Sequence, residues 1–504
     1  MSQYAQKNSV LIVFAALFLC AAAPVSAGPG AVLSTPDPVF SAALARPVVP
    51  GDIPLPAARP EQPAFPLVYA RSSGKITVGI NPNRELMYTL LHLTRYSEKL
   101  RGSSEQPIAA EVRKEFAPFA GHPAVAELDY GGRLNWQAGL GYDAFSSLPG
   151  YFSALPEGRR LYPYDQDFLD RVLYGMTDEE KTSYLDAYWQ KAMDFYRTSG
   201  FAAFFERKAP VYRAYVDSVY AGLPGADPVG LHEEYHANRS FQNFYVVPSP
   251  LSLPTGGNYG WRIGGYIFNF MGDGFDDKED INYLILHEFG HSFCNPVVEK
   301  YEAELSAYEG LYAGVAAEMK KQAYGNWLTV MRETLVRAVH ARLVLRTEGP
   351  EAAELFLLDN SFRRKFVFIQ DFYALLAEYE ADRGRYPTLY EFYPRLAASL
   401  GGWDLAEVEE AGDPGVWSSP AGEGLYIGGL SSSGYAYAAG LRWGDTVTSA
   451  DGARPAADFF YKLVPGHAYA LSVTRQDGSR ADLSFAVPSQ RKLRPVKKTA
   501  ALKK

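Results

Sequence analysis

Two segments of the chain, HEEYH at 232 to 236 and HEFGH at 287 to 291, each carry two histidines four residues apart with a glutamate directly after the first. On a helix that spacing sets both imidazoles on one face, where neutral ring nitrogens can hold a zinc ion and the adjacent carboxylate can reach a water beside it. Four of the eight histidines in the 504-residue chain lie in these boxes. The flanks decide which box can hold its ligands still. HEFGH follows INYLIL and precedes SF, so Leu284, Ile285, Leu286, Phe289 and Phe293 give it an apolar, rigid mount. HEEYH follows LPGADPVG, contains Glu234 and runs into ANRS, which predicts a solvated helical turn.

His287 and His291 are therefore the expected ligands of one Zn²⁺ per chain, with Glu288 as the catalytic base. The ion would lower the pKa of a water toward about 7 and polarise a scissile carbonyl. Glu288 would take the proton and pass it to the leaving amine.

A third ligand must come from elsewhere. The extended pattern HExxHxxGxxH fails, because Cys294 and Val297 stand where the glycine and the last histidine would be. GNWLTVMRETLVRAVHARLVL predicts a helix with Glu333 in its middle, and Arg337 and His340 on the same stripe four and seven residues on. Glu333 is the expected ligand. Arg337 is expected to orient it or to bind a substrate carboxylate, and His340 to steady a developing oxyanion. Competing ligands are Cys294, beside both histidines, and Glu299 and Glu302, beyond the helix end expected at Pro296.

The elements that must position these groups are mostly helical, with helical spacing near 165–220, 281–294, 323–346 and 362–383. The strongest β signal is NYGWRIGGYIFNFMG, 258–272. As an edge strand over Tyr259 to Phe270 it would pair with an extended peptide above the metal, with Gly264 and Gly265 leaving room for substrate. From residue 413 the pattern changes to short strands, ending in a hairpin marked by Asp477-Gly478. The expected fold is α+β: a mainly helical domain with a small sheet over 67–402, then a β-rich domain over 413–489. The first domain is expected to fold when the chain is cut near 412, and 490–504 reads as a solvated basic tail.

Lys7, an apolar run, and small residues at Val25-Ser26-Ala27 read as a signal peptide over 1–27, followed by a Pro/Ala-rich leader or linker over 28–66. The expected location is secreted or periplasmic. Leu19 before Cys20 argues against a lipid anchor, and cleavage leaves Cys294 alone, so no intrachain disulfide is expected. A net charge of -8 leaves no excess of Lys and Arg to neutralise phosphates and argues against a nucleic-acid partner. No later apolar run is long enough for a membrane span.

HEFGHSF, NPVVEKY, ETLVRA and EYEADRGRYPTLYEFYPRL, with NRELMYTLLHL, HPAVAELDYGGRLNW, YDAF and SPLSLPTGGNYG before them, make residues 75–400 resemble the bacterial secreted family known as domain of unknown function 4932. The resemblance implies a zincin-like metallopeptidase fold and carries over to His287, Glu288 and His291, and to Glu333 within ETLVRA. GLYIGGLSSSGYAYAAGLRWGDTVTSADGARP resembles a bacterial PDZ domain. That implies a tight turn at Gly440-Leu441 and Gly444-Asp445, a groove helix in AADFFYKLV, and a peptide as ligand. The carboxylate-binding loop expected before LYIGGL is not evident in SSPAGEG, so recognition of C-termini and a packing or regulatory role both stay open.

The preferred reading is a secreted zinc metallopeptidase acting on a peptide or protein substrate. The alternatives are a non-catalytic peptide-binding protein that uses the PDZ-like domain, and a zinc amidase acting on a non-protein amide. The intact Glu288 favours an enzyme, because a pure binder needs no base.

Overall fold

The computed structural model describes residues 65–100, 106–135, 139–223, 227–238, 243–252, 258–263, 266–272 and 278–498. The signal-peptide reading, nearly all of the leader, Gly264 and Gly265 lie outside the described residues. No described helix is long and apolar enough to cross a membrane. The fold is α+β and forms two compact units, the first ending at Pro296 and regained over Asp382–Leu389, the second built from Val297–Ala381 and from Tyr390 onward.

The first unit holds a five-stranded mixed sheet. Its strands are β1 (Val68–Ser73), β2 (Ile76–Ile80), β3 (Phe244–Pro248), β4 (Tyr259–Ile263) and β5 (Tyr266–Met271), in the order β1-β2-β3-β5-β4. β2, β3 and β5 run parallel, and β1 and β4 pair antiparallel at the edges. The single strand expected over 258–272 is two: Ile263 pairs with Tyr266, so the chain reverses there and only β4 lies at the edge. All six residues of β5 are buried, as suits an inner strand.

With the sheet come the helices α1 (Pro82–His92), α2 (Asp178–Ser199), α3 (Ala209–Ala221), α4 (Pro228–His236) and α5 (Lys278–Lys300), of which α3 packs on β1, β2 and β3 and α5 sets Phe289 against Phe244 of β3. A capping box between Thr177 and Glu180 starts α2, and Gly200 ends it in the left-handed region at φ 79°. The helical pattern over 165–220 is thereby broken into pieces. In contrast, α5 runs through Pro296 to Lys300, past its expected end. A proline inside a helix costs about 3 kcal/mol. Burying Val297 and Val298 just beyond it recovers roughly 1.5–3 kcal/mol each, which offsets that cost.

The second unit contains α6 (Trp327–Thr347), α7 (Pro350–Leu358), a π-helical turn over Asp359–Arg363, and α8 (Ile369–Ala381). After them β6 (Trp403–Ala411) leads into β7 (Val416–Ala421), β8 (Gly424–Leu430), β9 (Thr446–Ala450), β10 (Ala468–Thr474) and β11 (Arg480–Ala486). These last five form an antiparallel sheet in the order β11-β10-β9-β8-β7, closed over a core that includes Ile427, Leu441, Val447, Phe460 and Leu471. Gly440 and Gly444 both take positive φ in the AGLRWGD turn. AADFFYKLV makes only a 3₁₀ turn, Phe459–Tyr461, and not the expected helix. Phe460, inside the turn, and Leu463, just beyond it, both enter the core.

The expected solvated tail is also corrected. β12 (Ser489–Lys497) pairs along its whole length with β6, from Ser489 opposite Ala411 to Lys497 opposite Trp403. Arg494 is buried and reaches Glu318 at 2.7 Å, Glu410 at 2.6 Å and the carbonyl of Gly314 at 2.8 Å. The β module is thus inserted between two paired strands. A cut near 412 would strip β6 of its partner.

Candidate metal centre

The site grows from the stripe pattern of α5. Ile281, Ile285, Phe289, Phe293 and Val297 recur every four residues and are all buried. Phe289 lies 5.0 Å, ring to ring, from Phe244 of β3, which fixes this stripe toward the sheet. His287 and His291 lie on a different stripe, with ring centroids 4.8 Å apart and planes nearly perpendicular at 85°. His291 Nδ1 is 3.2 Å from the amide oxygen of Asn295. That oxygen can only accept, so Nδ1 carries the hydrogen and Nε2 presents its lone pair.

The third group comes from α6. The Asn326 side chain accepts from the Thr329 N–H at 2.8 Å and starts the helix, which is buried nearly all round from Trp327 to Val344. Glu333 sits mid-helix, 7% exposed. One ligand atom each from His287, His291 and Glu333 lies within 4.8 Å of the others. Two imidazoles and one carboxylate are a donor set that suits zinc with a fourth position open to water.

Arg337, one turn beyond Glu333, is also buried. Its guanidinium donates to Glu333 Oε2 at 3.0 Å, to the Tyr324 hydroxyl at 3.1 Å and to Asn360 Oδ1 at 2.9 Å, and lies 4.6 Å over the Phe366 ring. Burial pushes the Tyr324 hydroxyl up to about 12, and the charge of Glu333 adds to that, so Tyr324 stays protonated. Burial alone would lower the pKa of Arg337, but Tyr324 and Glu333 reverse the sign and hold it charged. His340 is buried against Phe356, with ring centroids 4.6 Å apart.

Glu288 is 5% exposed and faces the edge strand closely. A Cβ added to Gly260 of β4 would stand 2.5 Å from the Glu288 carbonyl oxygen and 3.5 Å from its Oε2. The close approach sought at Gly264 and Gly265 is therefore found, among the described residues, at Gly260. The readable signal was a glycine inside the aromatic run NYGWR.

Among the described residues the rival ligands join no metal-ligating cluster. Glu299 pairs with Arg332 at 2.9 Å, Glu302 opens a separate short helix, and burial pushes the Cys294 thiol up, 3.8 Å from His236 Nε2. HEEYH forms the end of α4 and is not solvated: His232 is 1% exposed and His236 4%. Both histidine rings stack on Phe293, at 5.3 and 5.2 Å, and His232 Nε2 donates to the Leu286 carbonyl at 2.7 Å. Burial lowers the His232 pKa to about 4 and that of His236 well below its usual value, so both rings are neutral. Among the described residues this box joins no metal-ligating cluster.

Residues 165–399 match the family described as "Domain of unknown function (DUF4932)". The chain carries a DUF4932 domain. The DUF4932 match holds both HExxH boxes, α5 and α6, and ends before β6, but begins well after residue 75, where the sequence resemblance starts. No curated protein matches the chain. A crystal structure of an aminopeptidase N family protein from Idiomarina loihiensis is similar at 12% identity, over 57% of this chain and 65% of that one, with a TM-score of 0.19. The alignment thus spans slightly less than two thirds of that protein, at a score too low to carry fold or activity across.

Proposed function

We propose that the chain is an exported, zinc-dependent peptidase, with His287, His291 and Glu333 as ligands and Glu288 as general base. The observation that carries this reading is the meeting of ligand atoms from those three side chains within 4.8 Å, with His287 and Glu333 buried and His291 half-buried. When bound, Zn²⁺ supplies Lewis acidity that polarises a substrate carbonyl and acidifies a water. The Glu288 carboxylate accepts the proton of that water and returns it to the leaving nitrogen. Gly260 lets β4 pass close to Glu288, and the outer edge of β4 offers backbone groups to an extended peptide. The β module is read as a PDZ-like appendage.

Metal analysis of the purified chain, beside assays of the wild type and Glu288→Gln on a mixed peptide library, tests the reading. About one zinc per chain is expected in both, with turnover in the variant reduced about a hundredfold or more. Zinc at that stoichiometry with hydrolysis confined to non-protein amides would move the reading to an amidase. Unchanged turnover in the variant would remove Glu288 from the mechanism.

A further inference from the structure

The π-helical turn Asp359–Arg363 touches two things at once. On one side Asn360, 2% exposed, accepts from Arg337 Nη1 at 2.9 Å. The same amide donates to the Phe356 carbonyl at 2.8 Å, so its rotamer is fixed from both ends. Arg337 in turn holds Glu333. On the other side Arg363 lies 4.9 Å over the ring of Trp417 in β7, the edge strand of the β module. The turn also packs against the module's Phe459–Tyr461 turn.

The turn is braced internally by charge. Asp359 pairs with both Arg363 and Arg364. Burial would raise its carboxyl, but the two guanidinium groups outweigh burial and hold it low and ionised. Arg363 is therefore shared between Asp359 inside the turn and Trp417 outside it, and Asn360 stands next to Asp359. A shift of the turn must move Asn360, and with it the guanidinium that sets the rotamer of Glu333.

We propose that this turn makes the β module a determinant of metal affinity, with Asn360 and Arg337 as positioning residues for Glu333 and the Trp417–Arg363 contact holding the turn in place. The inference rests on the metal site read above. It gives the module a role that needs no peptide ligand.

The experiment is a zinc competition titration against a chromophoric chelator, using the full-length chain. Asn360→Leu, which keeps the volume and removes the acceptor, is expected to weaken zinc binding about tenfold or more, as for other groups that orient a ligand. Trp417→Ala and Arg363→Met are each expected to weaken it about threefold or more, while Trp417→Phe, which keeps a ring under the guanidinium, restores the wild-type value. In the Asn360→Leu background, Trp417→Ala should have no further effect, because the route is already cut. A wild-type affinity in both Trp417→Ala and Arg363→Met overturns the inference, as does full additivity with Asn360→Leu. Wild-type protein that holds no zinc, or holds it equally well after Glu333→Ala, overturns the three-ligand reading and the inference with it.

Discussion

His232 donates its Nε2 hydrogen to the carbonyl of Leu286, the residue immediately before His287. The second HExxH box is thus a brace for the first. Its histidines lie along Phe293 while another face of α5 carries His287 and His291, so two HExxH patterns divide into a candidate metal site and the packing that steadies it.

This brace has a pH signature. The folded pKa of His232, about 4, is below the ordinary value of 6.5, so between these values the unfolded chain binds more protons. The contribution of His232 to stability is complete above about 6.5 and is lost as pH falls toward 4. His236, lowered in the same direction, adds to the loss. The effect of His232 is on the order of 3 kcal/mol for a ring so fully buried. Denaturant melts of His232→Asn, which keeps an N–H donor, should show a flatter profile over that window. An unchanged slope would mean that the ring is reached by water.

Gly260→Ala should damage the site through the backbone. The new Cβ would stand 2.5 Å from a main-chain oxygen of Glu288, which α5 does not let move freely. A loss of roughly 1–3 kcal/mol in stability is expected. Turnover should fall further than stability does, because the displaced group belongs to the proposed base, Glu288. A variant with wild-type melting and wild-type turnover would place β4 farther from α5 than it stands here.

The paired strands β6 and β12 separate two ways of removing the β module. Ending the chain at 412 removes Arg494 and Lys492 from Glu318, whose carboxyl burial would raise but those two cations hold down at about 2. Joining Ala411 to Ser489 through an Asn-Gly turn removes the module and keeps the ribbon. The first product should lose cooperative melting and the second should retain it. Glu318 also predicts acid sensitivity: its folded pKa is depressed, so its stabilisation is present above the ordinary carboxylate range and is lost as pH falls toward 2. Glu318→Gln should remove that part of the acid profile.

Features set by local pattern were legible before the structure. The apolar flanks of HEFGH foretold the mount of His287 and His291, and the unbroken helical spacing around ETLVRA foretold a rigid base for Glu333. The α+β division, with a more β-rich region after the helices, was equally plain. Features set by distant partners were not. Glu234 makes HEEYH look wet, but Phe293, more than fifty residues on, decides its burial. Lysines and arginines after 490 read as a free tail because Glu318 and Glu410, which bury Arg494, lie far away in sequence. Asn360 gave no signal at all. A single amide in DNSFR acquires meaning only when Arg337 points at it.

Glu333 is expected to be the third ligand in solution, and its neighbours make the test sharp. Glu333→Ala removes a carboxylate that already stands beside both histidines and leaves Arg337 as a buried cation without that partner. Zinc affinity should fall by several orders of magnitude, and stability should fall by roughly 3–5 kcal/mol, the usual cost of breaking a buried pair on one side. Glu333→Gln separates the two effects, because the amide oxygen still accepts from Arg337: stability should largely return while zinc affinity stays low. Glu299→Ala breaks only a half-exposed pair with Arg332 and should cost at most about 1 kcal/mol of stability, with zinc binding intact. A competition titration in which Glu299→Ala releases the metal and Glu333→Gln retains it would move the third ligand to the C-terminal end of α5.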